Sequence, residues 1–122
     1  MLINKDIRRR FRRYLCNIEV GVMSNNGKVF TSGTFDISEE GIFLFMPVPC
    51  VAGLMQDGAE LVAGEFLVIF LPNYDNSKDL ELDGSIVHTK TVIDGSYLVG
   101  VQFIGFDSEV KAHITELIKH VE

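Results

Sequence analysis

Two short stretches hold the residues with chemistry to offer. The first is Arg8-Arg9-Arg10-Phe11-Arg12-Arg13, which contains every arginine of the 122-residue chain. A guanidinium is a planar, permanently charged fork that matches phosphate oxygens and the O6/N7 edge of guanine, and it stacks on aromatic faces. The run therefore suits an anionic, planar ligand. The second stretch is Asp36-x-Ser38-x-x-Gly41, which brings a carboxylate, a hydroxyl and a residue without a side chain into six positions. Each stretch also has a plain reading. The run can be a solvated tail, and Asp-x-Ser-x-x-Gly can be a self-capped turn with its glycine at positive φ.

Charge separates the run from the rest. Residues 1–13 carry six basic groups and one acid, a net charge of +5, whereas residues 14–122 carry five lysines and sixteen acids, a net charge of −11. The isoelectric point near 5.0 argues against a general DNA or RNA binder, which needs many spread phosphate contacts. Composition is that of a soluble globular domain, with 47% apolar and 23% charged residues. No apolar run approaches the roughly 18–20 residues that span a bilayer. Met1–Asp6 has no apolar stretch of the length a secretory signal needs. Cys16 and Cys50 have neither metal-ligand spacing nor disulfide density, and read as reduced thiols of a cytoplasmic protein. Glu39-Glu40 reads as an exposed turn, and His113 and His120 as solvated helix positions. Nothing forms a phosphate-binding glycine loop, a metal site or a nucleophile–base pair, so the chain reads as a binding module and not an enzyme.

The elements that must position these residues are mostly strands. Residues 1–13 offer no buried face and read as a flexible arm. From Cys16 the period is two: Cys16, Ile18, Val20 and Val22 alternate with Asn17, Glu19, Gly21 and Met23, predicting a strand over 16–23. Asn25-Asn26-Gly27 is a hairpin signal, and further strands are expected at 28–35 and 42–45, with 36–41 as the turn between them. Residues 46–65 resist assignment, since Pro47 and Pro49 break the strand and Gly53, Gly58 and Gly64 interrupt the residues after them. Strands are expected at 65–71, 80–90 (with Asp83-Gly84 as a bulge) and 97–104, the last two joined at Asp94-Gly95. Val110, Ile114, Leu117, Ile118 and Val121 form the apolar stripe of a C-terminal helix, capped by Asp107 or Ser108. The fold class expected is mainly β: a small six-stranded, Greek-key-like antiparallel barrel over 14–122, with the helix packed on it.

Taken together, in this order and spacing, the two stretches resemble the signature of the PilZ domain family. That family is marked by Arg-Arg-x-x-Arg before the first strand and by Asp/Asn-x-Ser-x-x-Gly after the second. Arg9-Arg10-Phe11-Arg12-Arg13 and Asp36, Ser38 and Gly41 match. Gly100-Val101-Gln102-Phe103 is similar to the end of the family's last strand, so the resemblance covers roughly residues 8–120. PilZ domains are receptors for cyclic di-GMP, a bacterial second messenger with two guanines and two phosphates, and no cofactor is implied. The resemblance assigns the ligand to Arg8, Arg9, Arg10, Arg13, Asp36, Ser38 and Gly41, with Arg12 and His88 as further candidates. Asp36 would accept from guanine N1–H and N2–H, Ser38 would bond phosphate or guanine, and Gly41 would let the ligand approach the backbone.

Three features are specific to this chain. Arg8-Arg9-x-x-Arg12 also fits the pattern; the register ending at Arg13 is preferred because it lies nearer the first strand. In that register Arg8 is an extra cation, which in the family goes with a stacked pair of ligands. Where many members carry a strand aromatic, this chain has His88, which either stacks on guanine or is an ordinary strand histidine. Residues 46–60 look like an insertion that covers one end of the barrel, the alternative being a partner or dimer surface. The expected partners are cyclic di-GMP and a downstream protein, with no nucleic acid and no membrane insertion, in a monomer or weak dimer. The main alternative is a PilZ-fold adaptor that docks a protein without nucleotide.

Overall fold

The computed structural model describes residues 14–73, 78–105 and 107–121. Among the described residues seven strands run in chain order: β1 (Tyr14–Leu15), β2 (Val20–Met23), β3 (Val29–Ile37), β4 (Gly41–Met46), β5 (Phe66–Leu71), β6 (Leu80–Thr91) and β7 (Tyr97–Ile104). Helix α1 (Val48–Gln56) joins β4 to β5, and α2 (Ser108–Val121) ends the chain. Neighbours pair antiparallel in the order β3-β2-β5-β6-β7-β4, and β4 returns to β3, which closes a six-stranded barrel. The meander β5-β6-β7 brings β7 back beside β4, a Greek-key arrangement.

Alternation builds the barrel interior. Val20 and Val22, Ile42, Leu44 and Met46, Leu67, Ile69 and Leu71, and Val99, Val101 and Phe103 all point inward and are buried. Each such side chain contributes about 1.5–3 kcal/mol through removal from water. Ile114, Leu117 and Ile118 of α2 join this core, as the helical spacing predicts. Asp107 caps that helix, its Oδ1 accepting from the Val110 N–H at 2.8 Å. The two hairpin signals also hold: Gly27 and Gly95 take φ of 83° and 93° in their turns.

The structure differs from the sequence reading in four places. The expected strand over 16–23 is interrupted: β1 ends at Leu15 and β2 begins at Val20. Between them the Cys16 N–H still donates to the Phe35 carbonyl, at 3.0 Å. The Ile18 carbonyl, however, accepts the Thr34 hydroxyl at 2.8 Å, so a side chain takes a backbone ladder position. The 36–41 turn is shorter than expected, because Asp36 and Ile37 belong to β3 and Gly41 opens β4. The unassigned 46–65 stretch contains α1, with Cys50, Val51 and Leu54 buried in the core. Pro47 is its N-cap and Pro49 lies in its first turn, where no intrahelical N–H is needed, so both prolines start the helix. Finally, Asp83 and Gly84 pair regularly with Ile104 and Phe103; the irregularity in β6 falls at Val87.

Helix α1 touches β3 near its start, at Phe30, and α2 meets β1, which lies along the end of β3. Among the described residues the helices thus stand at opposite ends of the barrel and leave the outer face of β3-β4-β7-β6 without a helix on it. No helix among the described residues is long and apolar enough to cross a membrane.

Candidate functional site

Two bulges decide what that outer face presents. In β3 the inward series Ser32, Thr34 would continue to residue 36, but the register shifts between Thr34 and Asp36. Ile37 takes the next inward place, while Phe35 and Asp36 both face out. In β6 the inward series Leu82, Gly84, Ile86 would continue to His88, but a second shift between Ile86 and His88 turns Val87 and His88 outward together. Each bulge re-aims one polar side chain to the surface.

The re-aimed residues fall in one line. Asp36 pairs with Phe43, Phe43 with Gly100, and Gly100 with His88, a row that crosses β3, β4, β7 and β6. At a strand spacing of about 4.8 Å the row is about 14 Å long. These four residues and Val87 line an open groove of about 280 Å³. Gly100 leaves its floor flat, Phe43 gives it an aromatic surface, and Asp36 and His88 stand at its two ends. A smaller depression of about 140 Å³ adjoins it, bordered by Glu40, Gly41 and Gln102 and sharing Val87 and Val101 with the larger one. Across it the Gln102 amide donates to the Glu40 carboxylate at 3.4 Å.

Ser38 and Gly41 sit at the turn beside this groove, and the structure gives each a local task. The Ser38 hydroxyl is buried, accepts from the N–H groups of Glu40 and Gly41 at 3.2 Å each, and is 3.4 Å from the Gly41 carbonyl. The Ser38 N–H donates to that carbonyl at 2.9 Å. Gly41, unlike the expected turn glycine, is not at positive φ. Its lack of a side chain is required by β7, because a Cβ there would collide with the Val101 carbonyl oxygen. Removing the hydroxyl in Ser38→Ala is expected to cost about 1–2 kcal/mol, since two buried or half-buried N–H groups lose their acceptor; urea denaturation measures it.

The arginine run, Arg8, Arg9, Arg10, Arg12 and Arg13, lies outside the described residues, as does the whole proposed arm. Its point of attachment is described. Residue 13 is bonded to Tyr14, which pairs with Ile37, and the next residue, Leu15, pairs with Asp36. The run therefore joins the barrel at the Asp36 end of the row. Among the described residues none that lines the groove is lysine or arginine, so the barrel offers hydrogen-bond acceptors and an aromatic floor but no permanent cation there.

Cys50 lies in the barrel core, and Cys16 lies beside Asp36. Both are free thiols. Burial pushes Cys50 up to about 11. Cys16 is raised first by burial and then by the neighbouring Asp36 carboxylate. His113 and His120 border a different groove of about 200 Å³ on α2, together with Glu109 and Glu116. Two carboxylates make it a poor place for an anion. Among the described residues no cluster of His, Cys, Asp or Glu has metal-site geometry.

Sequence reasoning singled out Asp36 and His88 but missed Phe43, Gly100 and Val87 as groove residues. Alternation does show that Phe43 faces away from buried Ile42 and Leu44. The row itself depends on strand register and on two bulges, which no single segment of sequence announces.

Comparison with known proteins agrees with this architecture. The PilZ domain family model matches residues 7–120, and the chain belongs to that family. The PilZ domain of Escherichia coli YcgR, solved with c-di-GMP, is similar over 93% of this chain and 91% of its own, at 17% identity and a TM-score of 0.66. The K. pneumonia MrkH–c-di-GMP complex matches 92% of this chain at 18% identity and a TM-score of 0.66. The Bacillus subtilis inhibitor of motility MotI/DgrA matches 93% at 15% identity and a TM-score of 0.65. The chain spans about half the length of the latter two, 51% of MrkH and 50% of MotI/DgrA. At these identities the likeness is one of fold. No curated protein matches the sequence.

Proposed function

We propose that this chain is a receptor for cyclic di-GMP with a divided site: the arginine run supplies the cations, and the row from Asp36 to His88 supplies the surface that selects guanine. Family membership and the two ligand-bound relatives support the ligand. The single observation that carries the divided site is that the run joins the barrel at the Asp36 end of a groove whose described lining has no cation of its own. Arg9 precedes Tyr14 by five residues, and five extended residues reach about 17 Å, enough to cover the row. Arginine forks would take the phosphates and the O6/N7 edges of guanine, while Asp36 accepts from N1–H and N2–H. Ser38 and Gly41 hold the turn that sets the end of β3 and the start of β4. Binding would cover the guanidinium charge and order the arm, and a protein partner would read that change.

Titration calorimetry with cyclic di-GMP tests this reading. Wild type is expected to bind saturably. Asp36→Asn is expected to bind about 10–100-fold more weakly, because a charge-assisted acceptor is worth about 1.5–3 kcal/mol. Arg13→Ala is expected to weaken binding more than Arg12→Ala; the reverse order assigns the register to Arg8, Arg9 and Arg12. Two ligands per chain support Arg8 as the cation for a stacked pair, and one ligand removes that role. Absence of heat together with absence of NMR shift changes would leave the nucleotide-independent adaptor.

A further inference from the structure

Phe35, Phe43 and Phe45 form an aromatic cluster on the outer face. Phe35 meets Phe43 at 6.0 Å with a tilt of 53°, and Phe45 at 5.8 Å edge-on at 78°. All three are outside the barrel core, and Phe35 is 44% exposed. A period-two strand would not place Phe35 and Asp36 on one face; the bulge in β3 does so. Phe43 pairs directly with Asp36 on one side and with Gly100 on the other. An aromatic ring is thus flanked by a carboxylate and by a position with no side chain. The carboxylate suits the N–H edge of a planar base. The bare glycine leaves room for that base to extend across the ring, since a purine is longer than one strand spacing of about 4.8 Å.

We propose that Phe43, held in place by Phe35, is the stacking floor for a guanine whose N1–H and N2–H edge is bound by Asp36. The inference rests on reading the groove as a guanine site, and it adds a selectivity element that belongs to the barrel and not to the arm. A base lying from Asp36 over Phe43 toward Gly100 directs its ribose toward His88 at the far end of the row. The arrangement also explains why a large apolar side chain stays at the surface beside a carboxylate. Planar aromatic nucleobases gain from the ring face, whereas a simple phosphate or a phosphorylated side chain gains nothing from it.

The test is cyclic di-GMP titration of wild type, Phe43→Leu and Phe43→Tyr, together with NMR of the wild-type complex. Leucine keeps apolar bulk but has no π-face; tyrosine keeps the π-face. Phe43→Leu is expected to bind about tenfold or more weakly, and Phe43→Tyr within about threefold of wild type. A nuclear Overhauser contact between the Phe43 ring and guanine H8 is expected in the wild-type complex. Binding by Phe43→Leu within about twofold of wild type overturns the stacking floor and leaves the receptor reading standing. So does a wild-type complex without that contact, which decides the matter even where the leucine variant folds poorly. Failure of wild type to bind cyclic di-GMP overturns both, and is told apart by the wild-type titration alone.

Discussion

Gly41→Ala is expected to lower the melting temperature by about 10 °C or more. The added Cβ meets the Val101 carbonyl oxygen, and the Val101 carbonyl carbon and Gln102 Cα lie at 3.2 and 3.3 Å. All three are backbone atoms of β7, a central strand paired on both sides, with β4 and with β6. No flexible side chain can turn away, so β4 and β7 must separate. Overpacking of this kind costs about 3 kcal/mol, near the upper end of its usual range, and a domain of this size loses several degrees for each kcal/mol. The hydrogen bonds at risk include the Phe103 N–H to the Glu40 carbonyl, at 2.9 Å, and the Ser38 turn. Thermal denaturation followed by circular dichroism measures the change. A shift under about 3 °C would show that β4 and β7 can part cheaply.

The largest effect on binding is expected from the double variant Arg9→Ala, Arg13→Ala. Each guanidinium contact to a phosphate or guanine is worth about 1.5–3 kcal/mol, so the pair is worth about 3–6, or about a hundred- to ten-thousand-fold in affinity. The groove cannot compensate, because its described lining has no lysine or arginine. Replacement by lysine is expected to restore little, since an ammonium lacks the planar fork. Unlike Gly41→Ala, this variant leaves every described core residue in place and should leave the melting temperature nearly unchanged. Calorimetry and thermal denaturation of the same sample separate the two kinds of loss. Wild-type affinity is also expected to fall with added salt.

The barrel was legible in the sequence because period-two alternation and Asn-Gly or Asp-Gly turns survive in isolation. The terminal helix was legible through its stripe and the Asp107 cap. Helix α1 was not, for a physical reason. Pro47 and Pro49 end a strand and begin a helix with equal ease, and Gly53 weakens the helical signal in the middle. The apolar spacing Cys50, Val51, Leu54 was the usable clue. For the site, residue types were legible and directions were not. Simple alternation from Ile86 would bury His88, and from Thr34 would bury Asp36; one extra residue in each strand reverses both. The close approach at Gly41 was likewise hidden, because it depends on β7, some sixty residues further along the chain.

The most direct test of the divided site is an amide NMR titration of the full chain with cyclic di-GMP. The largest shift changes are expected at Asp36, Phe43, Val87, His88 and Gly100 and at arm residues 8–13, with Ala112 and His113 of α2 unmoved. Changes centred on α2 and Pro72, or confined to the arm with the β3-β4-β7-β6 row silent, would contradict it.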